Sequence, residues 1–181
     1  MGTRGRTSIR IVRGDRGESG PLPRTAPAPR QSIHEQVERA IRWDNFGPVR
    51  SNAREPATPI RLGGQLRLAL LGSGESLLRN WMELYDEDES AVYNVKFPGD
   101  PDHYYSLGMG PDSQLTASGS YGGVTLLLAL GSKPKDDRIS AQTHGSGHWE
   151  LTDEVDLFRD FIHCLAEDPE SINELDMSDV F

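Results

Sequence analysis

The sequence predicts an α+β fold, a single domain with a largely antiparallel sheet and two or three helices, preceded by a disordered arginine-rich arm. Three observations lead to this class. Several short apolar or alternating segments follow one another with few helical segments between them, which favours antiparallel pairing. A segment between Thr152 and Pro169 repeats its apolar side chains with the period of an α-helix. The first 30 residues hold few apolar side chains and contribute little to any core.

The arm, residues 1–30, contains seven arginines and four residues of the types Ile, Val and Leu. Such a stretch buries too little apolar surface to offset the conformational entropy lost on ordering, which predicts disorder. One interpretation of the arm is contact with nucleic acid or another anionic surface. The favoured interpretation is a solubilising tail, because the arm has no aromatic side chain that could stack on a base.

Residues 31–59 are predicted to form a short helix and a linker. Ser32 and Glu35 have the spacing of a capping box, in which each side chain accepts a hydrogen bond from the other residue's backbone N–H. Apolar side chains follow at helical intervals, whereas residues 50–59 have the composition of a linker. The helix is expected to dock on the body of the protein.

The body, residues 60–168, is predicted to be the α+β domain, and residues 169–181 an acidic, frayed tail. A first strand is predicted at 65–71, then a glycine turn at 72–74 and a helix that begins near Leu77. The most apolar of the later strands, 124–130, is expected at the centre of the sheet. The later predicted elements are strands at 91–97, 103–107, 114–118 and 124–130, a hairpin of 138–143 with 148–151, and a helix capped by Thr152.

Charge is divided unevenly along the chain. Residues 1–61 hold 12 Lys and Arg against 6 Asp and Glu, whereas residues 62–181 hold 7 against 22, for a net charge of -9. An acidic body attracts cationic partners and repels nucleic acid, so the expected partner is a basic protein. No stretch has the ~20 apolar residues of a membrane span, and no signal peptide is visible. These features predict a soluble cytoplasmic protein with no membrane partner.

The glycine turn predicted at 72–74 is the first candidate for chemistry. A glycine turn between a strand and a helix is the layout in which backbone N–H groups bind phosphate. However, Leu77 stands where the dinucleotide-binding pattern needs a third Gly or Ala, and Glu75 would repel a phosphate group. The favoured interpretation is a tight structural turn.

Histidine and cysteine residues are the other candidates. His144 and His148 have a spacing at which they could share a metal ion with His103. Solvent-exposed histidines are favoured, because a glycine-rich turn does not fix the directions of these side chains. The single Cys164 excludes an intramolecular disulfide framework and a CxxC zinc site. Cys164 lies within an apolar helical stretch, so a buried thiol is expected. The adjacent His163 points elsewhere on a helix and cannot serve the thiol as a base. No catalytic residue, metal site or cofactor is therefore predicted.

Two segments within residues 91–165 resemble a known family. The segment from Val95 to Leu107 reads VKFPGDPDHYYSL, and the segment from His148 to Ile162 reads HWELTDEVDLFRDFI. The order of a strand, a Gly-Asp turn, an aromatic strand and a Trp-Glu motif leading into an acidic, Phe-rich helix is similar to that of the SMI1/KNR4 (SUKH) superfamily. The resemblance implies a non-enzymatic, immunity-type protein that binds and blocks a toxin, with no catalytic residues.

The predicted function is a non-enzymatic protein-binding module, an immunity-type inhibitor or adaptor that acts through an acidic surface. One alternative is a structural or assembly protein whose basic arm contacts nucleic acid or a neighbouring subunit. Another is a small enzyme or nucleotide binder that uses the Gly72–Gly74 turn or the pair His144 and His148. The predicted partner-binding residues are Asp86, Glu87, Asp88, Glu89, Asp100, Asp102, Tyr104, Tyr105 and Trp149.

Overall fold

A sheet of seven strands runs through the described part of the chain, and every neighbouring pair is antiparallel. The computed structural model describes residues 30–46, 57–85, 92–109, 113–144 and 151–175, and those from Gln31 onward belong to one compact unit. The predicted α+β class is therefore confirmed, whereas the predicted arm lies outside the described residues except for Arg30. The strands are β1 Thr58–Pro59, β2 Val92–Phe97, β3 Asp100–Gly108, β4 Ser113–Tyr121, β5 Val124–Gly131, β6 Arg138–Thr143 and β7 Asn173–Glu174, in spatial order β1-β6-β5-β4-β3-β2-β7.

Helices cover one face of this sheet. Counted over the same described residues there are three: α1 (Ile33–Ala40), α2 (Gly64–Tyr85) and α3 (Leu151–Glu167). Both α2 and α3 contact β4 directly, and α1 packs on α2 and α3. The core therefore lies between the helical layer and the covered face of the sheet.

The two faces of the sheet carry different side chains, as the two-residue period of a strand requires. On the covered face Val95, Tyr105 and Leu107 are fully buried. On the open face no helix of the described residues covers the strands, and the side chains are mostly small and polar. The central row of the open face consists of Asn94, Ser106, Ser118, Leu127 and Ser140, all half-buried.

The predicted capping box of α1 is confirmed. Ser32 Oγ accepts a hydrogen bond from the Glu35 N–H at 3.2 Å, and Glu35 Oε2 accepts one from the Ser32 N–H at 3.0 Å. The apolar side of α1 buries Val37, Ala40 and the following Ile41 in the common core. The predicted docking of this helix on the body is therefore confirmed as well.

Helix α2 overturns the predicted strand at 65–71 and the glycine turn at 72–74, because it runs without interruption from Gly64 to Tyr85. Leu66, Leu70, Gly74 and Leu78 are buried at every fourth position. This period continues through the glycines, and a short apolar run alone does not reveal it. Gly74 serves close packing, since a Cβ atom there would lie 2.6 Å from both methyl carbons of Leu115 on β4.

A buried ion pair ties the first turns of α2 to the connection between β5 and β6. Arg67 Nε lies 2.9 Å from Oδ2 of Asp137, a fully buried residue. Asp137 Oδ1 accepts a hydrogen bond from the Gly131 N–H at 3.1 Å, and Arg67 Nη2 donates to the Gly131 carbonyl at 2.5 Å. A buried carboxylate is tolerated only with such partners, so the pair fixes the position of α2 on the sheet.

The ends of the domain differ from prediction. α3 begins at Leu151, so Thr152 lies inside its first turn and is not its N-cap, and residue 151 is not part of a hairpin strand. β1 lies in the predicted linker and pairs with β6. β7 lies in the predicted tail and pairs with β2, because Ile172 and Leu175 have apolar side chains that the core buries. β4 is the central strand, and the most apolar strand, β5, lies beside it.

Candidate functional site

A polar cluster lies at the turn between β2 and β3. Phe97 pairs with Asp100 across this turn, and the register then shifts, so that β3 bulges before Tyr105 pairs with Val95. The Asp100 side chain is directed into the core, where it accepts a hydrogen bond from the Tyr105 hydroxyl at 2.9 Å. His103 Nδ1 lies 2.5 Å from the same carboxylate oxygen. The buried carboxylate thus accepts a hydrogen bond from Tyr105 and lies against the ring of His103.

Two tyrosines join this cluster from the covered face of the sheet. The rings of Tyr105 and Tyr121 meet edge to face with centroids 5.5 Å apart. Burial raises the pKa of Tyr105 far above its ordinary value, and the neighbouring Tyr121 and Asp100 raise it further. Burial also raises the pKa of Tyr121, and the negative charges of Asp100, Glu154 and Asp160 add to the effect. Both phenols therefore stay neutral, and Tyr105 remains a donor to Asp100.

The predicted partner-binding residues fall into three groups: buried, exposed, and outside the described residues. Asp100 is 6% exposed and Tyr105 is 0% exposed, so the prediction that they contact a partner is wrong. Their polar groups satisfy each other inside the protein. Asp102 and Tyr104 are exposed on β3, where a partner could reach them. The remaining predicted residues, Asp86, Glu87, Asp88, Glu89 and Trp149, lie outside the described residues.

Asp100, one of the predicted partner-binding residues, lies just beyond one end of β2. Val92, the first described residue after the acidic block at 86–89, begins β2, whereas Asp100 follows its last residue. A six-residue strand is roughly 20 Å long. Val92 and the turn before Asp100 therefore lie at opposite ends of the strand.

A further acidic surface lies on α3. Asp153, Asp156, Asp160 and Glu167 are all exposed. With 3.6 residues per turn these positions fall within about 60° of arc on one side of the helix, and we call them the α3 acidic stripe. Residues 151–175 hold eight carboxylates and one Lys or Arg residue. Sequence reasoning assigned the acids of the first turn to helix capping and missed the stripe, although the intervals of three, four and seven residues are visible in the sequence.

Within the described ranges, one Arg and one His side chain contact the stripe. Arg159 contacts Asp156 at 2.6 Å and Glu38 on α1 at 3.1 Å, and His163 Nε2 lies 3.0 Å from Glu167. Asp153 and Asp160 have no ion-pair partner among the described residues. Their charges are therefore directed to solvent, where they attract cationic groups over roughly a Debye length of 8–10 Å.

The described histidines do not converge. His103 contacts Asp100 and the ring of Tyr121 on the covered side of the sheet. His144 Nε2 lies 3.3 Å from Thr125 Oγ1, which lies 3.0 Å from Ser120 Oγ on the open face. Within the described residues no group of three or more His, Cys, Asp or Glu side chains is arranged to hold a metal ion. The third predicted histidine, His148, lies outside those residues.

The structure also places the residues of the predicted glycine turn and Cys164. Gly72 and Gly74 lie inside α2, where backbone N–H groups bond within the helix, so the hypothesis of a phosphate-binding turn is wrong. Cys164 is half-buried, with Sγ 3.0 Å from Ser171 Oγ. Burial raises the pKa of the Cys164 thiol and keeps it protonated. His163 points away from it, towards Glu167 and the ring of His34, as expected.

An open groove of about 350 Å³ lies beside α2, lined by Glu75, Leu78, Arg79, Met82 and Met109. No described helix is both long and apolar enough to cross a membrane. Comparison with protein-family models, with curated proteins and with solved structures gives no match. The site is therefore interpreted from its own geometry.

Proposed function

We propose that this chain is a non-enzymatic protein-binding module that captures a basic protein, as an immunity-type inhibitor or an adaptor does. The observation that carries the proposal is the α3 acidic stripe, which presents one sign of charge on one side of a helix. A surface of this kind steers a cationic partner and raises the rate of encounter. The immunity-type role follows from the resemblance of residues 91–165 to the SMI1/KNR4 (SUKH) superfamily.

The stripe stands on a rigid support. The opposite side of α3 buries Val155, Phe158, Phe161, Ile162 and Leu165 in the core. The carboxylates therefore keep a fixed pattern, and binding does not require the helix to become ordered first. This favours recognition of a folded partner over a loose attraction of cations.

Residues of β3 are exposed on a second surface, separate from the α3 acidic stripe. Tyr104 is 45% exposed, and Asp102 is exposed two residues before it. Glu154 and Asp160 of α3 act electrostatically on Tyr121, whose ring also contacts that of His103. The acids of α3 and the bulged start of β3 thus lie around the same end of β4. Tyr104 pairs with Ser120 and points to the open face of the sheet, opposite to the face that α3 covers, so it is not part of the α3 surface.

Affinity capture with matched variants tests the proposal. The full chain, an α3 variant (Asp153→Asn with Asp160→Asn) and a control variant (Asp44→Asn with Glu83→Gln) are compared at low and moderate salt. Both double variants remove two exposed acids, so they change the net charge equally. We expect a basic protein to be retained by the wild type and by the control variant, and to be lost with the α3 variant.

The captured protein is then purified and its association rate measured. The α3 variant should lower the association rate constant about tenfold at low salt, and the difference should shrink as salt rises. Equal binding by both double variants would exclude α3 as the contact surface. Retention of nucleic acid alone, lost on removal of residues 1–30, would support instead an assembly role for the arm.

A further inference from the structure

Trp43 presents an aromatic ring to solvent next to the helix that carries the acidic stripe. It begins a short 3-10 helix, Trp43–Asn45, which follows α1 and contacts α3. The Trp43 side chain is 50% exposed, whereas Trp81, the other described tryptophan, is 7% exposed. Tryptophan is enriched among the residues that supply most of the binding energy at protein interfaces. Trp43 is therefore a candidate anchor for a partner.

The turn that carries Trp43 is held firmly, so the ring is not exposed by fraying of the chain. Ile41 and Phe46, on its two sides, are buried in the core. The Phe46 N–H donates a hydrogen bond to the Trp43 carbonyl at 3.0 Å. Asn45 Nδ2 donates to the Ala40 carbonyl, which ties the turn to the end of α1. A ring on a fixed backbone binds a partner at a low cost in conformational entropy.

Helices α1 and α3 are antiparallel, which determines where the turn lies along α3. The ring of His34, near the start of α1, contacts that of His163, with centroids 5.0 Å apart. Glu38, one turn later in α1, lies 3.1 Å from Arg159, one turn earlier in α3. The chain that leaves α1 therefore reaches the first turns of α3. Asp153, the first residue of the α3 acidic stripe, lies in the same part of the helix.

An exposed tryptophan beside a carboxylate fits one kind of side chain. The face of an aromatic ring attracts a cation, and tryptophan is the most effective ring for this contact. The planar guanidinium group of arginine stacks on such a ring and also pairs with a carboxylate through two hydrogen bonds, unlike the compact ammonium group of lysine. We propose that Trp43 and Asp153 together bind an arginine side chain of the basic partner. This proposal rests on the function proposed above and names the anchor of that interface.

The charges near Trp43 favour a cation that comes from outside the chain. Asp153 has no ion-pair partner among the described residues, and neither has the exposed Arg42 next to Trp43. Asp156, one turn along the stripe, contacts Arg159 at 2.6 Å, so this side of α3 already accepts one guanidinium group. Asp153 is thus a free carboxylate of complementary charge at the end of the stripe that the turn approaches.

Binding of a tetra-arginine peptide to the full chain, measured by isothermal titration calorimetry, tests the proposal. A tetra-lysine peptide of the same charge is the reference ligand. We expect the wild type to bind the arginine peptide about fivefold more tightly than the lysine peptide. Trp43→Leu should remove this preference. Tyr104→Leu is the matched control and should keep it, because it alters a ring of 45% exposure on the open face of the sheet.

Two results of this titration would overturn the proposal. One is a wild type that binds both peptides equally or binds neither of them at millimolar concentration. The other is a Trp43→Leu variant that keeps the full preference for arginine. Both variants alter exposed side chains, so the fold is expected to survive in each, and circular dichroism checks this.

A double-mutant cycle tests whether the ring and the carboxylate hold the same guanidinium group. Trp43→Leu and Asp153→Asn are measured singly and together with the arginine peptide. We expect the loss of affinity in the double variant to be smaller than the product of the single losses by about threefold, because each contact positions the group for the other. Asp160→Asn, about 10 Å further along α3, should combine with Trp43→Leu as a simple product. Equal coupling at both positions would contradict the proposed site.

Capture of the basic protein separates failure of this proposal from failure of the proposed function. Loss of capture with Asp153→Asn and Asp160→Asn, but wild-type capture by Trp43→Leu, would keep the stripe as the contact and exclude Trp43 as its anchor. Unchanged capture by both variants would exclude the stripe itself. Asp44→Asn remains a control, because successive side chains of a 3-10 helix point about 120° apart.

Discussion

Helices α2 and α3 cover the same face of the sheet but contact it through different kinds of residue. α3 inserts large aromatic side chains, and the Phe161 ring lies 4.5 Å from that of Tyr105 and 5.6 Å from that of Phe97 between centroids. α2 approaches β4 through Gly74, where no side chain separates the helix backbone from Leu115. On the solvent side α3 carries the acidic stripe, whereas the exposed residues of α2 include uncharged side chains as well as Glu75, Arg79 and Glu83. The inner contacts hold each helix in place, so the outer faces are free to serve binding.

The largest expected effect comes from the aromatic contact of α3. Phe161→Ala removes a fully buried ring that contacts three other aromatic rings. We expect the free energy of unfolding to fall by about 3–5 kcal/mol, because transfer and cavity terms add. Urea unfolding followed by circular dichroism measures this loss. Leu84→Ala on the outer side of α2 is the control and should change it by less than ~0.5 kcal/mol.

A small effect of Phe161→Ala would mean that α3 contributes less to stability than its aromatic contacts suggest. A loss below ~1 kcal/mol would mean that the rings of α3 repack around the cavity. The sheet would then be held mainly by α2, with its buried pair of Arg67 and Asp137.

Gly72 and Gly74 inside α2 give the next effect, with opposite signs. Gly74→Ala places a Cβ atom 2.6 Å from two methyl carbons of Leu115, so α2 must move away from β4. We expect a loss of about 1–3 kcal/mol in the free energy of unfolding, as for overpacked cores. Gly72→Ala meets no atom and should raise stability by about 0.5–1 kcal/mol. Urea unfolding of both variants compares them directly. A gain in stability for both would show that backbone propensity, not packing, decides at both positions.

The same contrast explains what the sequence could predict. α3 was predicted because its buried side chains are large and repeat at helical intervals, and its first turn is acidic. In α2 two of the cues were glycines, which predict a turn when only local conformation is considered. Gly74 is needed for a contact with Leu115, 41 positions later in the chain, and such contacts leave no local pattern.

In the candidate site, too, local sequence predicted the exposed residues but not those held by long-range contacts. Asp102 and Tyr104 are exposed as the predicted surface requires, since polar residues in a strand near a turn usually face solvent. Asp100 and Tyr105 were placed on that surface by composition alone. Tyr105 is buried because it points to the face that α3 covers, and its hydroxyl donates a hydrogen bond to Asp100 across the register shift between β2 and β3. Neither the shift nor the pairing is visible from residue types.

The last expected effect is a dependence of stability on alkaline pH, on the α3 side of the core. Burial raises the pKa of both Tyr105 and Tyr121 above that of an unfolded tyrosine, near 10. Their contribution is fully present below pH ~10 and is lost as pH rises, because only the unfolded chain releases these protons. Each tyrosine should lower the free energy of unfolding by about 1.4 kcal/mol per pH unit above that point. Tyr121→Phe should therefore halve the slope due to this pair, and the exposed Tyr104→Phe should leave it unchanged. Urea unfolding between pH 9 and pH 11 measures the slope, and equal slopes for wild type and Tyr121→Phe would mean that solvent reaches the Tyr121 hydroxyl beneath α3.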